Sequence, residues 1–182
     1  MLQAAFFLLG TLVLAWLSRA SLRQPRSHGF PRFFAWVAIL GLLALNGPVW
    51  FEDRYAAHQL VSWVLLQLSI AVLVAGLYML RRVGKADRAR DEEALFAFEK
   101  TSQLVTVGIF RYIRHPMYCS LLLLAWGVFF KQPGVAGLLL ALAASAFLWL
   151  TALRDEAECL GYFGEAYRDY MQRSKRFIPF IL

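Results

Sequence analysis

Cysteine is scarce in this chain, with only Cys119 and Cys159 among 182 residues. The two have no metal-type spacing and build no disulfide framework, so a cysteine-stapled or zinc-ribbon fold is excluded. Internal repeats and low-complexity tracts are lacking too, and no metal ligand set is visible. No nucleic-acid recognition module accompanies the net charge of +7, so that charge does not point to DNA or RNA. The first apolar run has no positive segment ahead of it and no small-x-small cleavage site behind it. Met1 to Leu17 therefore reads as a retained span rather than a signal peptide.

What the chain has instead is apolar residues gathered into long runs. Hydrophobic residues make up 60% of it and the mean hydropathy is +0.54, against roughly 45–50% apolar for soluble domains. The runs fall at about Leu2–Leu17, Phe33–Trp50, Leu60–Leu80, Met117–Phe130 and Val135–Leu153. The fourth is short of the roughly 20 residues a spanning helix needs. Lys131-Gln132-Pro133-Gly134 supplies a turn between the fourth and fifth runs, so these two read as a helical hairpin. The expected fold is all-α: a polytopic membrane protein of about five transmembrane helices, the last two paired, with a cytoplasmic C-terminal amphipathic helix. One domain covers 1–182, with three N-terminal spans in 1–80 and the polar motifs in 81–182.

Charge sets the orientation. All 19 lysines and arginines except Arg54 and Lys131 lie in segments 18–32, 81–116 and 154–182. By the positive-inside rule these are cytoplasmic, which puts the N-terminus outside and the C-terminus inside. Residues 85–103, mixed in charge, read as a short interfacial helix. Residues 154–173 carry Leu160, Phe163, Tyr167 and Tyr170 at spacings of three and four, the pattern of an amphipathic helix.

Three polar groups stand beside the apolar runs. In Arg114-His115-Pro116-Met117-Tyr118, Pro116 suits a first helical turn, and the residues before it sit where free N–H groups gather and anions bind. From these five residues alone, anion binding and snorkelling to headgroups stand equal. Asp155-Glu156, with Glu158, follows the fifth run; such acids serve as helix-dipole partners or as a carboxylate facing a ligand. The third group is Phe163-Gly164-Glu165-Ala166-Tyr167-Arg168-Asp169-Tyr170, ending at Arg176-Phe177-Ile178-Pro179.

The order and spacing of the three, from Leu104 to Pro179, closely resemble the isoprenylcysteine carboxyl methyltransferase and phospholipid methyltransferase superfamily. That superfamily carries a Leu-Val-Thr-x-Gly-x-Tyr-x-x-x-Arg-His-Pro-x-Tyr motif before a helical hairpin, then Glu-Glu, Phe-Gly-x-x-Tyr-x-x-Tyr and a C-terminal Ile-Pro. The chain departs from it at Phe110 (Tyr in the motif), Asp155 (Glu), Cys159 (often Leu) and Thr151 (Arg in the eukaryotic carboxyl methyltransferases, a role Arg154 would take over).

The resemblance implies an S-adenosylmethionine-dependent methyltransferase of the cytoplasmic membrane acting on a lipophilic acceptor that enters from the bilayer. The cofactor-site residues carried over are Leu104, Val105, Gly108, Tyr112, Arg114, His115, Pro116, Tyr118 and Glu156. Glu156 would hold the cofactor's ribose or amino group, and Arg114 and His115 its carboxylate. Arg81 or Arg154 would orient an anionic acceptor, so Arg81, Arg154 and Glu156 form the catalytic set. Replacing His115 or Glu156 by alanine is expected to weaken cofactor binding without unfolding the protein. Prenylcysteine carboxyl methylation is the first reading and phospholipid N-methylation the second. A sterol-reductase-like enzyme and a non-catalytic lipid-binding protein are the remaining ones.

Overall fold

The structure, a computed structural model, describes residues 1–84 and 103–180, so all but the last residue of the expected interfacial helix lies outside the described residues. Among the described residues there are seven α-helices: α1 (Leu2–Leu17), α2 (Arg19–Leu22), α3 (Gly29–Asn46), α4 (Ala57–Val83), α5 (Pro116–Phe129), α6 (Val135–Phe163) and α7 (Glu165–Arg173). Short 3-10 turns cover Gly47–Val49 and Gly108–Arg111, and the described residues contain no strand.

Each apolar run has become a helix, with ends set by local chemistry. α3 starts ahead of the apolar run, because Pro31 in its first turn has no N–H to leave unpaired. α6 continues past Leu153 to Phe163, since no breaker intervenes before Gly164 at φ 58°. The segment read as one amphipathic helix is thus divided. Its first half is the end of α6, and only Glu165–Arg173 stands apart, with Tyr167 and Tyr170 buried.

α3 with its following turn, α4 and α6 are each long and apolar enough to cross a membrane. The chain is an integral membrane protein. At about 1.5 Å per residue, the 14 residues of α5 reach only about 21 Å, against a hydrocarbon core of about 30 Å. α3, α4, α5 and α6 form the bundle, α4 against α5 and α3 against α6, while α1 packs on α3. Ala125, Ala141, Ala144 and Gly137 bring the backbones close around Leu42, Leu66 and Phe129, the small-residue packing that membrane helices use in place of a hydrophobic drive.

The end of the bundle at the α5–α6 turn is closed by Lys131. Its side chain is fully buried. Nζ donates to Gln59 Oε1 at 3.0 Å and lies 3.4 Å from the centre of the Trp63 ring. Gln59 Nε2 returns a bond to the Lys131 carbonyl at 3.1 Å. A buried cation held by an amide and an indole face ties α4 to the hairpin. Lys131→Ala should lower stability by about 2 kcal/mol, read as a lower unfolding midpoint in detergent micelles. An unchanged midpoint would show that the clasp contributes nothing.

Candidate active site

The opposite end of the bundle holds the polar motifs, arranged around the last turns of α6. Successive side chains there point to three sides, as a 3.6-residue period requires. Arg154 and Glu158 point to the turn before α3. Asp155 and Cys159 face a cleft. Glu156 points to the loop before α5 and to the C-terminal segment.

Glu156 is a junction. Its carboxylate accepts Arg114 Nε at 2.9 Å, Arg176 Nε at 3.0 Å and Arg176 Nη2 at 2.7 Å, and lies 3.3 Å from His115 Nε2. It is buried, 4% exposed, so the three cations are what make its charge tolerable there. Arg114 reaches further, from Nη1 to the carbonyls of Met171 (3.3 Å) and Ser174. The main chain reinforces this junction. Arg114 N donates to Lys175 O at 2.7 Å, His115 N to Arg176 O at 3.2 Å and Lys175 N to Tyr112 O at 2.9 Å. This short parallel pairing sets Arg176 beside Glu156.

His115 is the N-cap of α5, buried, and stacked on Tyr118 with ring centres 5.3 Å apart. Nδ1 lies 3.4 Å from Asp155 Oδ2 and Nε2 3.3 Å from Glu156 Oε1. Both ring nitrogens thus face a carboxylate, and only the imidazolium offers a proton to each. Burial disfavours that charge, but the bonds and charges of Asp155 and Glu156 outweigh it, and the His115 pKa is raised above its ordinary value. Burial pushes the phenols of Tyr167 and Tyr170 up as well, so both stay protonated. Tyr170 donates to the Phe110 carbonyl at 2.6 Å, which fixes the Gly108–Arg111 turn. Gly108 begins that turn at φ 62°, and a Cβ there would stand 2.6 Å from Met79 Sδ, so both conformation and space call for glycine.

The cleft holds a cavity of about 110 Å³ that opens to solvent. Of the residues expected at the site, Leu104, Val105, Arg114, His115, Pro116 and Tyr118 line it. Glu156 is not among the lining residues and stands behind the wall, bonded to Arg114, His115 and Arg176. Gly108 shapes the loop. Tyr112 is half exposed and meets Phe180 edge-on at 6.0 Å. Arg81 is exposed at the end of α4, next to cleft-lining Leu80. Arg154 is directed away from the cleft, to the carbonyls of Pro25 and Ser27.

Sequence reasoning gave no role to Arg176 and did not single out His28, which lines the cleft from the turn before α3. For His28 no signal existed, since its partner Glu158 lies 130 positions away. Arg176 was visible next to Phe177-Ile178-Pro179, but only the pairing with residues 112–115 shows where it points.

The fold and this cleft describe a membrane-embedded helical bundle with a ligand site at one end. A family model for phospholipid methyltransferases matches residues 61–161, more than half of the chain, and the chain belongs to that family, within the integral membrane methyltransferases. Comparison with curated proteins and with solved structures gives no match.

Proposed function

We propose that the chain is an S-adenosylmethionine-dependent methyltransferase whose acceptor is the amino headgroup of a membrane phospholipid. The observation that carries this is the composition of the cleft. One side is apolar, with Leu104, Val105 and Phe110, and suits the faces of a nucleoside. The other presents the Asp155 carboxylate and the first turn of α5, a helix start of the kind that suits a ligand carboxylate. The cofactor, when bound, supplies a methyl group already activated on a sulfonium.

The chain's part is then to align donor and acceptor and to exclude water. In this reading Arg114, His115, Pro116 and Tyr118 form the wall against the cofactor's amino-acid end. Leu104, Val105 and the Gly108–Tyr112 loop close its other side, and Glu156 holds the wall in place. Asp155, facing the cleft and ion-paired with His115, suits a ligand ammonium. Arg81, at the mouth, would meet the acceptor's phosphate. In this reading the end rich in basic residues faces the cytoplasm and the N-terminus lies outside, as the positive-inside rule favours.

Carboxyl methylation of a prenylcysteine is the competing reading. It would draw on Arg154 for the acceptor's carboxylate, and Arg154 is directed to the Pro25–Ser27 turn. The test is transfer of labelled methyl from S-adenosylmethionine by the purified protein in mixed micelles. Label in phosphatidylethanolamine is expected. Label confined to prenylcysteine would overturn the acceptor, and failure of S-adenosylhomocysteine to bind at micromolar concentration would overturn the cofactor.

A further inference from the structure

Part of the cleft wall comes from outside the stretch that matches the family. His28 lies on the turn before α3 and is 1% exposed. Its main-chain N–H donates to Glu158 Oε1 at 2.8 Å, and its Nδ1 lies 2.6 Å from Glu158 Oε2. Nε2 is 3.3 Å from Arg32 Nη1. A guanidinium only donates, so Nε2 has to accept, and the ring proton belongs on Nδ1, directed at Glu158. One turn back on α6, Arg154 Nη1 donates to the carbonyl oxygens of Pro25 and, at 3.2 Å, Ser27. Positions 154 and 158 share a helix face, and that face spends a cation and an anion on one short turn. From the other side the turn is pressed by α2, where a Cβ on Gly29 would meet Ser21 Oγ at 2.3 Å. The neighbouring face of α6 carries Asp155 and Cys159 into the cleft that His28 also lines.

We propose that the Pro25–His28 turn is a built part of the methyl-donor site, held by Arg154 and Glu158 so that His28 forms a fixed wall of the cleft. The inference rests on the reading that the cleft takes S-adenosylmethionine. It places a donor-binding determinant in the N-terminal third of the chain, and it gives Arg154 the task of holding the wall. Ligand atoms of His28, Asp155 and Glu158 lie within 4.8 Å of one another, as a metal site would have them. The proton on Nδ1 speaks against a metal, which needs that nitrogen bare.

The test is calorimetric titration of the full-length protein in micelles with S-adenosylhomocysteine, alongside donor and acceptor KM. His28→Leu removes the side-chain donor to Glu158 and leaves the main-chain one, and His28→Asn keeps an N–H close to the Nδ1 position. The leucine variant should bind about tenfold more weakly, and the asparagine variant within about threefold of wild type. Donor KM should rise with binding while acceptor KM at saturating donor stays put, a split that general loosening of the fold would not give. Glu158→Gln, which keeps its shape, carries the same test where the leucine variant does not fold, and should weaken binding several-fold. Wild-type affinity in these variants, equal loss in leucine and asparagine, or activity lost to a chelator and restored by zinc would each overturn the proposal. In all three cases wild type still binds S-adenosylhomocysteine. If wild type itself does not bind, the cofactor reading fails and this inference falls with it.

Discussion

Replacing Glu156 by alanine is expected to remove cofactor binding and most of the stability of the C-terminal half together. The carboxylate is the common partner of Arg114, His115 and Arg176, and the side chains of Arg114 and His115 are nearly as buried as its own. Removing it leaves Arg114 and Arg176 without their carboxylate and His115 with Asp155 alone. Breaking a buried pair by deleting one partner costs about 3–5 kcal/mol, and here one deletion breaks three contacts. The sequence-based expectation that this substitution would spare the fold is therefore revised. Glu156→Gln separates shape from charge: it keeps the volume and one acceptor, and should lose less. The check is thermal unfolding of both variants in the same detergent, with S-adenosylhomocysteine binding measured well below each midpoint. An alanine variant that unfolds with the wild-type midpoint would show that the junction is not what holds the 112–115 and 174–177 segments together.

How far the sequence reached depends on the range of the interaction. The runs Leu2–Leu17 and Val135–Leu153 announce helices because burial in lipid acts on each segment by itself, and Pro133-Gly134 fixes the turn between two of them. The continuation of α6 to Phe163 was less visible, since helix propensity carries on where hydrophobicity stops and only Gly164 breaks it. Leu104, Val105, Arg114, His115, Pro116 and Tyr118 line one cleft together, because residues close in sequence travel as one loop. Glu156 was assigned from the acidic pair of the resembled superfamily and Arg154 as a substitute for the arginine missing at Thr151, and helix periodicity separates them. Three neighbours on α6 face three different partners, and which one meets the cleft depends on where α3, α5 and the C-terminal segment dock. His28 belongs to that class too, because a contact across the bundle leaves no local trace.

His115→Leu is expected to cost about 3 kcal/mol near pH 6, and the cost should shrink as the pH rises. The imidazolium stands between Asp155 and Glu156, 3.4 and 3.3 Å away, and leucine leaves both carboxylates without it. The pH dependence follows from the direction of the shift. In the unfolded chain the ring titrates near its ordinary value of 6.5, and in the folded protein its pKa is raised, burial being outweighed by the two acids. Below about pH 6.5 the ring is charged in both states, and the full stabilisation is present. Above that the unfolded ring loses its proton first, and the contribution drains away until the pH passes the folded value. Comparing wild type with the variant cancels the titrations that the two share. Midpoints measured in one detergent at about pH 6 and about pH 9 should show the wild-type advantage narrowing with pH. An advantage that is constant or widens toward pH 9 would mean that His115 is neutral in the fold, and that Arg114 and Arg176 alone neutralise the acidic end of α6.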